Sequence, residues 1–356
     1  MMRILDKYIV KHVMMGIALV SLVIIGLDFI FSFLSELDSL KSEYKIFEAL
    51  RFTIYSLPRH FYDFMPFIVL IGSLLGLGVM ADNRELTIMR AAGVSIARIG
   101  FAVMLPVFVV LMFNLGLGEY PAPQLQQAAE MRKDILRSGD DVVSAQQGFW
   151  HRDGNNYIHF NAADPKGILY GVTTYSFDTE RHLQKVGFAK KAEFFVEDNH
   201  WESSFVQEVT LTPEGSHLEN YESQVWETKL SPTILKTLVL KPQHQSTSDL
   251  YHFSHYLAEQ GLASERYLLA FWNKILQPLS IISLVLISLS FVFGSLRSAT
   301  MGFRVFCGVG AGLLFEYSQD MLGSISLVYG LSPLLATIIP IVLCAGIGTY
   351  LLKRVG

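Results

Sequence analysis

The chain has 356 residues and a net charge of −4, with 51% hydrophobic and only 17% charged side chains, against roughly 25% charged in ordinary soluble proteins. That deficit excludes a wholly water-exposed globule, and the absence of any basic stripe argues against nucleic acid as a partner. The charge is also uneven: residues 119–265 hold 21 acidic and 12 basic side chains, whereas the remainder holds 11 and 16, the distribution of a polar block embedded in a membrane bundle.

The basic N-terminus MMRILDKYIVKH leads into an apolar run over 13–34 with one charge, Asp28. That run exceeds a signal-peptide core of about 7–15 residues and lacks a small-residue cleavage site, so it is expected to persist as a membrane helix. A spanning helix needs about 20 mostly apolar residues. Six stretches qualify: 13–34, 56–80, 99–118, 268–296, 303–327 and 331–352. The second begins raggedly at Arg59, His60 and Asp63, and the fourth carries Lys274 near its start, where a lysine is expected to snorkel to the interface. Bases gather in alternate flanks: Arg3, Lys7 and Lys11, then Arg84, Arg90 and Arg98, then Arg297 and Arg304, then Lys353 and Arg354. The positive-inside rule therefore places both termini in the cytoplasm and 119–265 outside. The 35–55 loop is a partial exception, its Lys41, Lys45 and Arg51 being balanced by acids.

The expected organisation is an α-helical membrane protein with six transmembrane helices, three and three, around an inserted all-β domain. Residues 1–118 hold helices one to three, 119–265 the outer block with its β core near 140–245, and 266–356 helices four to six. Between helices two and three, Ala81–Gly93 is short and amphipathic. A transverse helix near 82–93 is the form in which a transporter docks a cytosolic motor, with Arg84, Glu85, Leu86 and Met89 as candidate contacts; the alternative is a solvated connector. Beyond helix three, 124–137 reads as a helical extension. Lys41, Arg59, Arg132, Lys133 and Arg137 collect at the outward membrane boundary, where bases hold anionic head groups; interfacial anchoring or ion pairing within the chain is the alternative.

The outer block then turns to period-two patterning. Trp201, Ser203, Phe205, Gln207, Val209 and Leu211 share one parity, and similar runs at 156–160, 168–177, 184–196 and 216–228 are separated by turn-forming groups such as Asp153-Gly154-Asn155-Asn156. An antiparallel sandwich or jelly roll is expected, followed by a short helix capped by Ser248 and closed by Gly261. Among the aromatics, Phe149, Trp150, Phe160, Phe195, Trp201, Phe205 and Trp226 are expected mostly in the core, with a lipid groove as the alternative.

Catalytic signals are missing. No Gly-Lys dipeptide allows a phosphate-binding loop, there is no HExxH or GxSxG, the histidines lack compact metal-ligand spacing, and no cofactor is expected. Cys307 and Cys344 both lie in apolar runs, leaving the polar block without a disulfide. Asp28, and Glu316 with Asp320 one turn apart, are costly inside a membrane and are expected to face the bundle, water or a partner.

Taken in order, several strings make the chain resemble the LptF/LptG permease family of the bacterial lipopolysaccharide exporter. They include Leu5-Asp6-Lys7-Tyr8-Ile9, Arg84-Glu85-Leu86, Gly118-Glu119-Tyr120-Pro121-Ala122-Pro123, Gln146-Gln147-Gly148-Phe149-Trp150 with Asp153-Gly154-Asn155-Asn156, Gln277-Pro278-Leu279, Phe293-Gly294-Ser295-Leu296-Arg297-Ser298 with Met301-Gly302, and Leu327-Val328-Tyr329-Gly330. The Gly148–Asn156 segment favours the LptG branch over the LptF branch. The resemblance implies an inner-membrane, non-enzymatic ABC transporter permease that draws lipopolysaccharide from the outer leaflet. It further implies a heterodimer with an LptF-like permease, two copies of an LptB-like ATPase, and delivery to LptC-like and LptA-like bridge proteins through a periplasmic β-jellyroll. Glu85 would take the docking position of a coupling helix, and Arg59 and Lys133 would lie near lipid A phosphates. In the family a lysine sits in the outer part of helix one; here Phe29–Leu40 has no base, so Lys41 is a displaced candidate. The rival from another class is a membrane-anchored periplasmic scaffold without transport activity.

Overall fold

The structure, a computed structural model, describes residues 4–40, 44–138, 149–164, 167–195, 200–212, 215–226, 228, 242–259, 264–294, 296 and 299–355. Its helices are α1 (Ile4–Leu37), α2 (Ile46–Asp82), α3 (Glu85–Ala91), α4 (Ile96–Glu119) and α5 (Pro121–Ser138), then α6 (Thr247–Glu259), α7 (Glu265–Phe293), α8 (Met301–Tyr329) and α9 (Pro333–Val355). Six strands lie between α5 and α6: β1 (Phe149–Asp153), β2 (Asn156–Asp164), β3 (Ile168–Phe177), β4 (Leu183–Phe195), β5 (His200–Thr212) and β6 (Gly215–Trp226).

Among the described residues, five helices are long and apolar enough to cross a membrane: α1, α2, α4 running on to Glu130, α7 and α9. The sixth expected span, α8, matches α7 at 29 residues. Its apolar character is diluted by Arg304, Glu316 and Asp320. The bundle is built around α2 and α7, where Leu70, Leu74, Leu77, Leu284, Val285 and Leu289 are all buried in one core with Val103 and Val107 of α4 and Phe315 of α8. Helix α2 starts ten residues before the apolar run predicts, because the polar residues that break that run are absorbed inside the helix. His60 pairs with Asp28 of α1 at 2.5 Å, and Arg59 lies 2.9 Å from Asp63.

Helix α1 crosses α2 at a contact that only glycine permits. A Cβ on Gly16 would stand 2.4 Å from the Gly72 oxygen, and one on Gly76 would stand 2.7 Å from Val13 Cα. Gly72 and Gly76 thus form a small-xxx-small notch into which α1 settles, the packing that brings membrane helices together where lipid offers no hydrophobic drive. Helix α4 gives way to α5 at Tyr120 because Pro121 has no N–H to continue the ladder, and proline is well placed at a first helical position.

The expected jelly roll is not what the described strands make. They form one antiparallel meander in the order β1-β2-β3-β4-β5-β6, each strand pairing with the next in sequence and no crossover appearing among the described residues. The simple alternation expected of 201–211 also fails, for a reason visible on three strands at once. Gly171 and Phe205 take positive φ, 61° and 54°, and the register sets both opposite Lys190. Across that line the buried position moves by three rather than two, from Leu169 to Val172, Ala189 to Ala192, and Ser203 to Val206. The sheet changes its pleat there and keeps an apolar face around Ile158, Phe160 and Trp201, while Phe205 is left 65% exposed. Of the seven aromatics expected there, Phe160 and Trp201 are core and Trp226 packs against it; Trp150, Phe195 and Phe205 are exposed, and the Phe149 side chain lies outside the described residues.

Candidate functional site

Two ends of the bundle collect polar side chains. At one end sits α3. Leu86 and Met89, three residues apart on one face, are buried in the bundle core, and Gly93 at φ +85° ends the segment. A seven-residue helix has no stability of its own, so the apolar face formed by Leu86 and Met89 is spent on attachment to the bundle. The outward face is Arg84, Thr87, Ile88 and Ala91, with Ile88 66% exposed. Glu85 lies between the two faces. Its Oε1 accepts from Asn83 Nδ2 at 3.3 Å, the Tyr8 hydroxyl of α1 lies within hydrogen-bonding reach of the carboxylate, and its Oε2 is screened from water by the chain itself. A carboxylate at the edge of the exposed face is a strong acceptor for a charged donor.

The same end is braced by two inter-helix pairs that sequence reading missed. Arg98 at the start of α4 donates to Asp6 of α1 at 3.3 Å. Arg304, 2% exposed, donates to Asp82 at 2.8 Å, to the Gly78 carbonyl at 3.3 Å and to the Leu296 carbonyl at 3.0 Å. Both arginines read in the sequence as loop charges, yet they join α1 to α4 and α2 to α8.

At the other end the expected basic ring is internally paired. Arg132 grips Glu48 through two hydrogen bonds of 2.6 and 2.7 Å. Lys133 lies 2.6 and 2.9 Å from the two oxygens of Glu36, which also accepts from Tyr44, and it rests over the Phe52 ring. Arg59, 7% exposed, faces Asp63 without hydrogen-bond alignment and lies over Tyr62. Lys41 and the Arg137 side chain lie outside the described residues. The Arg132 and Lys133 pairs fasten α5 to α2 and α1, while the Arg59–Asp63 pair lies within α2.

A third cluster holds the segment returning from the sheet. Lys274 does not snorkel; it is 7% exposed and donates to the carbonyls of Gln245 and Gly118 (3.4 Å for the latter), with Tyr62 beneath it. Glu119 accepts from the backbone N–H groups of Thr247 (2.9 Å) and Ser248 (3.2 Å), the unpaired donors of a helix N-terminus. Ser246, rather than the expected Ser248, is the side-chain cap: its Oγ accepts from the Asp249 N–H at 3.0 Å and donates to the Asp249 carboxylate. His244 meets Glu130 at 3.1 Å. A lysine several residues inside an apolar run, and a glutamate just before Tyr120-Pro121, were the available signals. The sheet also touches α6, where buried His151 stacks on Tyr256; burial holds the His151 pKa below its ordinary value.

Of the membrane carboxylates, Asp28 is paired with His60, whereas Glu316 and Asp320 lie exposed on α8.

A sequence profile of the family described as "Lipopolysaccharide export system permease LptF/LptG" matches residues 7–354. The lipopolysaccharide export system permease protein LptG of Haemophilus influenzae is 34% identical over 355 residues, covering 99% of each chain. The protein of the same name from Escherichia coli strain K12 is 34% identical over 353 residues, covering 99% of this chain and 98% of its own. A long apolar bundle, an inserted antiparallel sheet, a short helix between two long ones and end-to-end similarity agree: the chain belongs to the LptF/LptG family of lipopolysaccharide export system permeases.

Proposed function

We propose that the chain is an inner-membrane permease subunit that draws lipopolysaccharide from the outer leaflet and passes it to a periplasmic bridge, using ATP hydrolysed by a separate cytosolic subunit. The observation that carries this reading is α3, attached to the bundle by buried Leu86 and Met89 and presenting Glu85 beside exposed Arg84 and Ile88, at the end of the bundle that also bears Arg98, Arg304, Lys353 and Arg354. By the positive-inside rule that end is cytoplasmic, the termini with it, and the 119–265 block is periplasmic. The motor is an LptB-like ATPase, two copies serving a pair of permeases.

The second permease, LptF-like, covers what this chain leaves open. Leu19, Leu22 and Phe31 of α1 and Phe306, Leu314 and Tyr317 of α8 are exposed, and Glu316 and Asp320 stand on the same α8 surface. Helix α8 counts as the sixth span when that partner or a hydrated cavity meets its carboxylates. Arg59, Arg132 and Lys133, with Lys41 and Arg137 nearby, offer charge-assisted hydrogen bonds to lipid A phosphates, in exchange with Glu36, Glu48 and Asp63. LptC-like and LptA-like proteins receive the lipid beyond the sheet. The LptG relatives favour the LptG role within the pair.

The test is reconstitution: the chain with its sister permease and ATPase in vesicles carrying lipopolysaccharide, with an LptC-like acceptor outside. Transfer to the acceptor that requires both ATP and this chain supports the reading. Stable assembly without ATP-dependent transfer supports the scaffold instead.

A further inference from the structure

The outer face of the sheet carries a cleft that the transport reading does not use. It has a volume of about 380 Å³ and is lined by Trp150, Arg152, Asn155, Tyr157, Tyr175 and Arg181, among others. Side chains alternate across a strand, so Trp150, Arg152 and Tyr157 point away from the buried side chains of His151, Ile158 and Phe160. The cleft is therefore a surface feature and not a gap in the core.

Its floor is aromatic and its walls are cationic. Trp150, 60% exposed, lies nearly parallel to Tyr175, with 5.8 Å between ring centroids and 24° between planes, and against His159 at 4.8 Å. Tyr157 packs edge-on against Phe177, and the Arg152 guanidinium lies 5.5 Å over the Tyr157 ring while its Nε donates to the Gly154 carbonyl. Arg181 is exposed on the β3–β4 turn. Asp178, the carboxylate in this cleft, is taken up by its own turn. It accepts from the backbone N–H groups of Glu180 (2.9 Å) and His182 (2.8 Å) and meets the His182 ring. Those donors, led by the His182 N–H, hold its pKa below the ordinary value. The two guanidinium groups are left to face whatever enters.

Arg181 also has φ +66°, a left-handed conformation that glycine adopts freely and arginine does not. A non-glycine residue held there, at a cleft, is the kind of backbone outlier from which function is inferred.

We propose that this cleft binds an anionic saccharide, the sugar ring lying on the Trp150–Tyr175 face and its phosphate or carboxylate meeting Arg181 and Arg152. The occupant follows from the chemistry. Acyl chains call for enclosed apolar walls, whereas this cleft is open and rimmed by guanidinium, amide and phenol groups. Aromatic faces suit the C–H side of a pyranose, and a guanidinium fork matches phosphate or carboxylate geometry. The proposal rests on the transport reading for the source of the sugar, the phosphorylated saccharide portion of lipopolysaccharide, but its recognition chemistry is shared with a free sugar phosphate.

The experiment titrates the full assembled complex in nanodiscs with deacylated, phosphorylated lipopolysaccharide saccharide, with the same saccharide after phosphatase treatment, and with glucosamine 6-phosphate. Wild type should bind the first at least tenfold more tightly than the second. Tight binding of glucosamine 6-phosphate alone would identify a free sugar phosphate as the source. Arg181→Gly should weaken binding of the phosphorylated saccharide at least tenfold while leaving Tm unchanged or raising it, since glycine relieves the backbone. Trp150→Ala should weaken both forms of the saccharide. Equal affinity of wild type and Arg181→Gly, indifference to phosphate removal, or displacement of the saccharide by micelles of a neutral lipid would overturn the proposal. ATP-dependent lipid transfer is measured on the same preparations. Transfer without saccharide binding removes only the cleft, and saccharide binding without transfer removes only the transport reading.

Discussion

Helices α1 and α2 are nearly equal in length, 34 and 37 residues, and both are apolar enough to cross a membrane, yet they occupy opposite situations. Eighteen residues of α2 are buried within the chain against six of α1. Helix α2 has the less apolar span of the two and holds Arg59, His60 and Asp63 well inside the helix, and is still the more deeply buried. Hydropathy therefore separates membrane from water but not inside from outside within the membrane. What sorts the two helices is whether a polar group finds a partner and where glycines allow close approach. Helix α2 is the shared wall of the bundle. Helix α1 touches it along one stripe and presents the rest to lipid or to a second subunit.

That contrast can be broken most sharply at the crossing itself. Gly76→Leu puts a side chain where a Cβ alone would lie 2.7 Å from Val13 Cα. Overpacking commonly costs about 1–3 kcal/mol, and here backbone stands in the way, so the upper end or more is expected. The variant should fail to accumulate in membranes, whereas Leu22→Ala on the exposed stripe should accumulate normally and instead lose co-purification with the sister permease. If Leu22→Ala keeps its partner, the α1 stripe faces lipid.

A smaller loss is expected at the junction with the outer block. Lys274→Ala leaves the Gln245 and Gly118 carbonyls without their buried donor, at about 1–3 kcal/mol for an unsatisfied group. Limited proteolysis should then cut within Pro242–Glu259 at rates that leave wild type intact. Unchanged protection would mean that Glu119 alone secures α6.

The contact between sheet and α6 should respond to acid. His151 is buried neutral with a pKa below its unfolded value of 6.5, so its contribution is complete above about pH 6.5. As pH falls from there towards the depressed folded pKa, the unfolded state takes up the proton first and that contribution is lost. Thermal melting followed at the outer block should fall between pH 7.5 and 5.5 in wild type, and the His151-dependent part should vanish in His151→Gln. A melting curve with the same pH dependence in both would contradict this assignment.

The smallest effect belongs to the paired bases. Lys133→Ala and Arg132→Ala break partly exposed ion pairs worth about 0–1 kcal/mol in stability. If those bases also meet lipid A phosphates, co-purified lipopolysaccharide should fall severalfold while assembly persists. Unchanged lipid would leave them as fasteners for α5.

Much of this was legible in the sequence. The membrane bundle, the inserted sheet and the connector at 81–93 could be read because long apolar runs and period-two alternation are local properties. The pleat change at Gly171 and Phe205 was not legible, because alternation is read one strand at a time and this line exists only across neighbouring strands. Nor were the partners of Arg132, Lys133 and Arg304: a base near the end of a helix looks the same in sequence whether it faces a phosphate, a carboxylate or water. Leu86 and Met89 were correctly seen as one face. Which way that face turns depends on packing against α2 and the bundle core, which no local pattern encodes.

The central claim is that α3 receives the motor, and Glu85 tests it most directly. Glu85→Ala removes the carboxylate without touching Leu86 or Met89, so α3 stays attached to the bundle. In vesicles holding the assembled complex, lipopolysaccharide released per ATP hydrolysed should fall at least tenfold, with the ATPase either lost on purification or turning over without release. Ile88→Asp, on the exposed face, should do the same, and Leu86→Asp should instead destabilise the permease itself. If Glu85→Ala and Ile88→Asp both assemble and transport like wild type, α3 is a connector and the motor docks elsewhere.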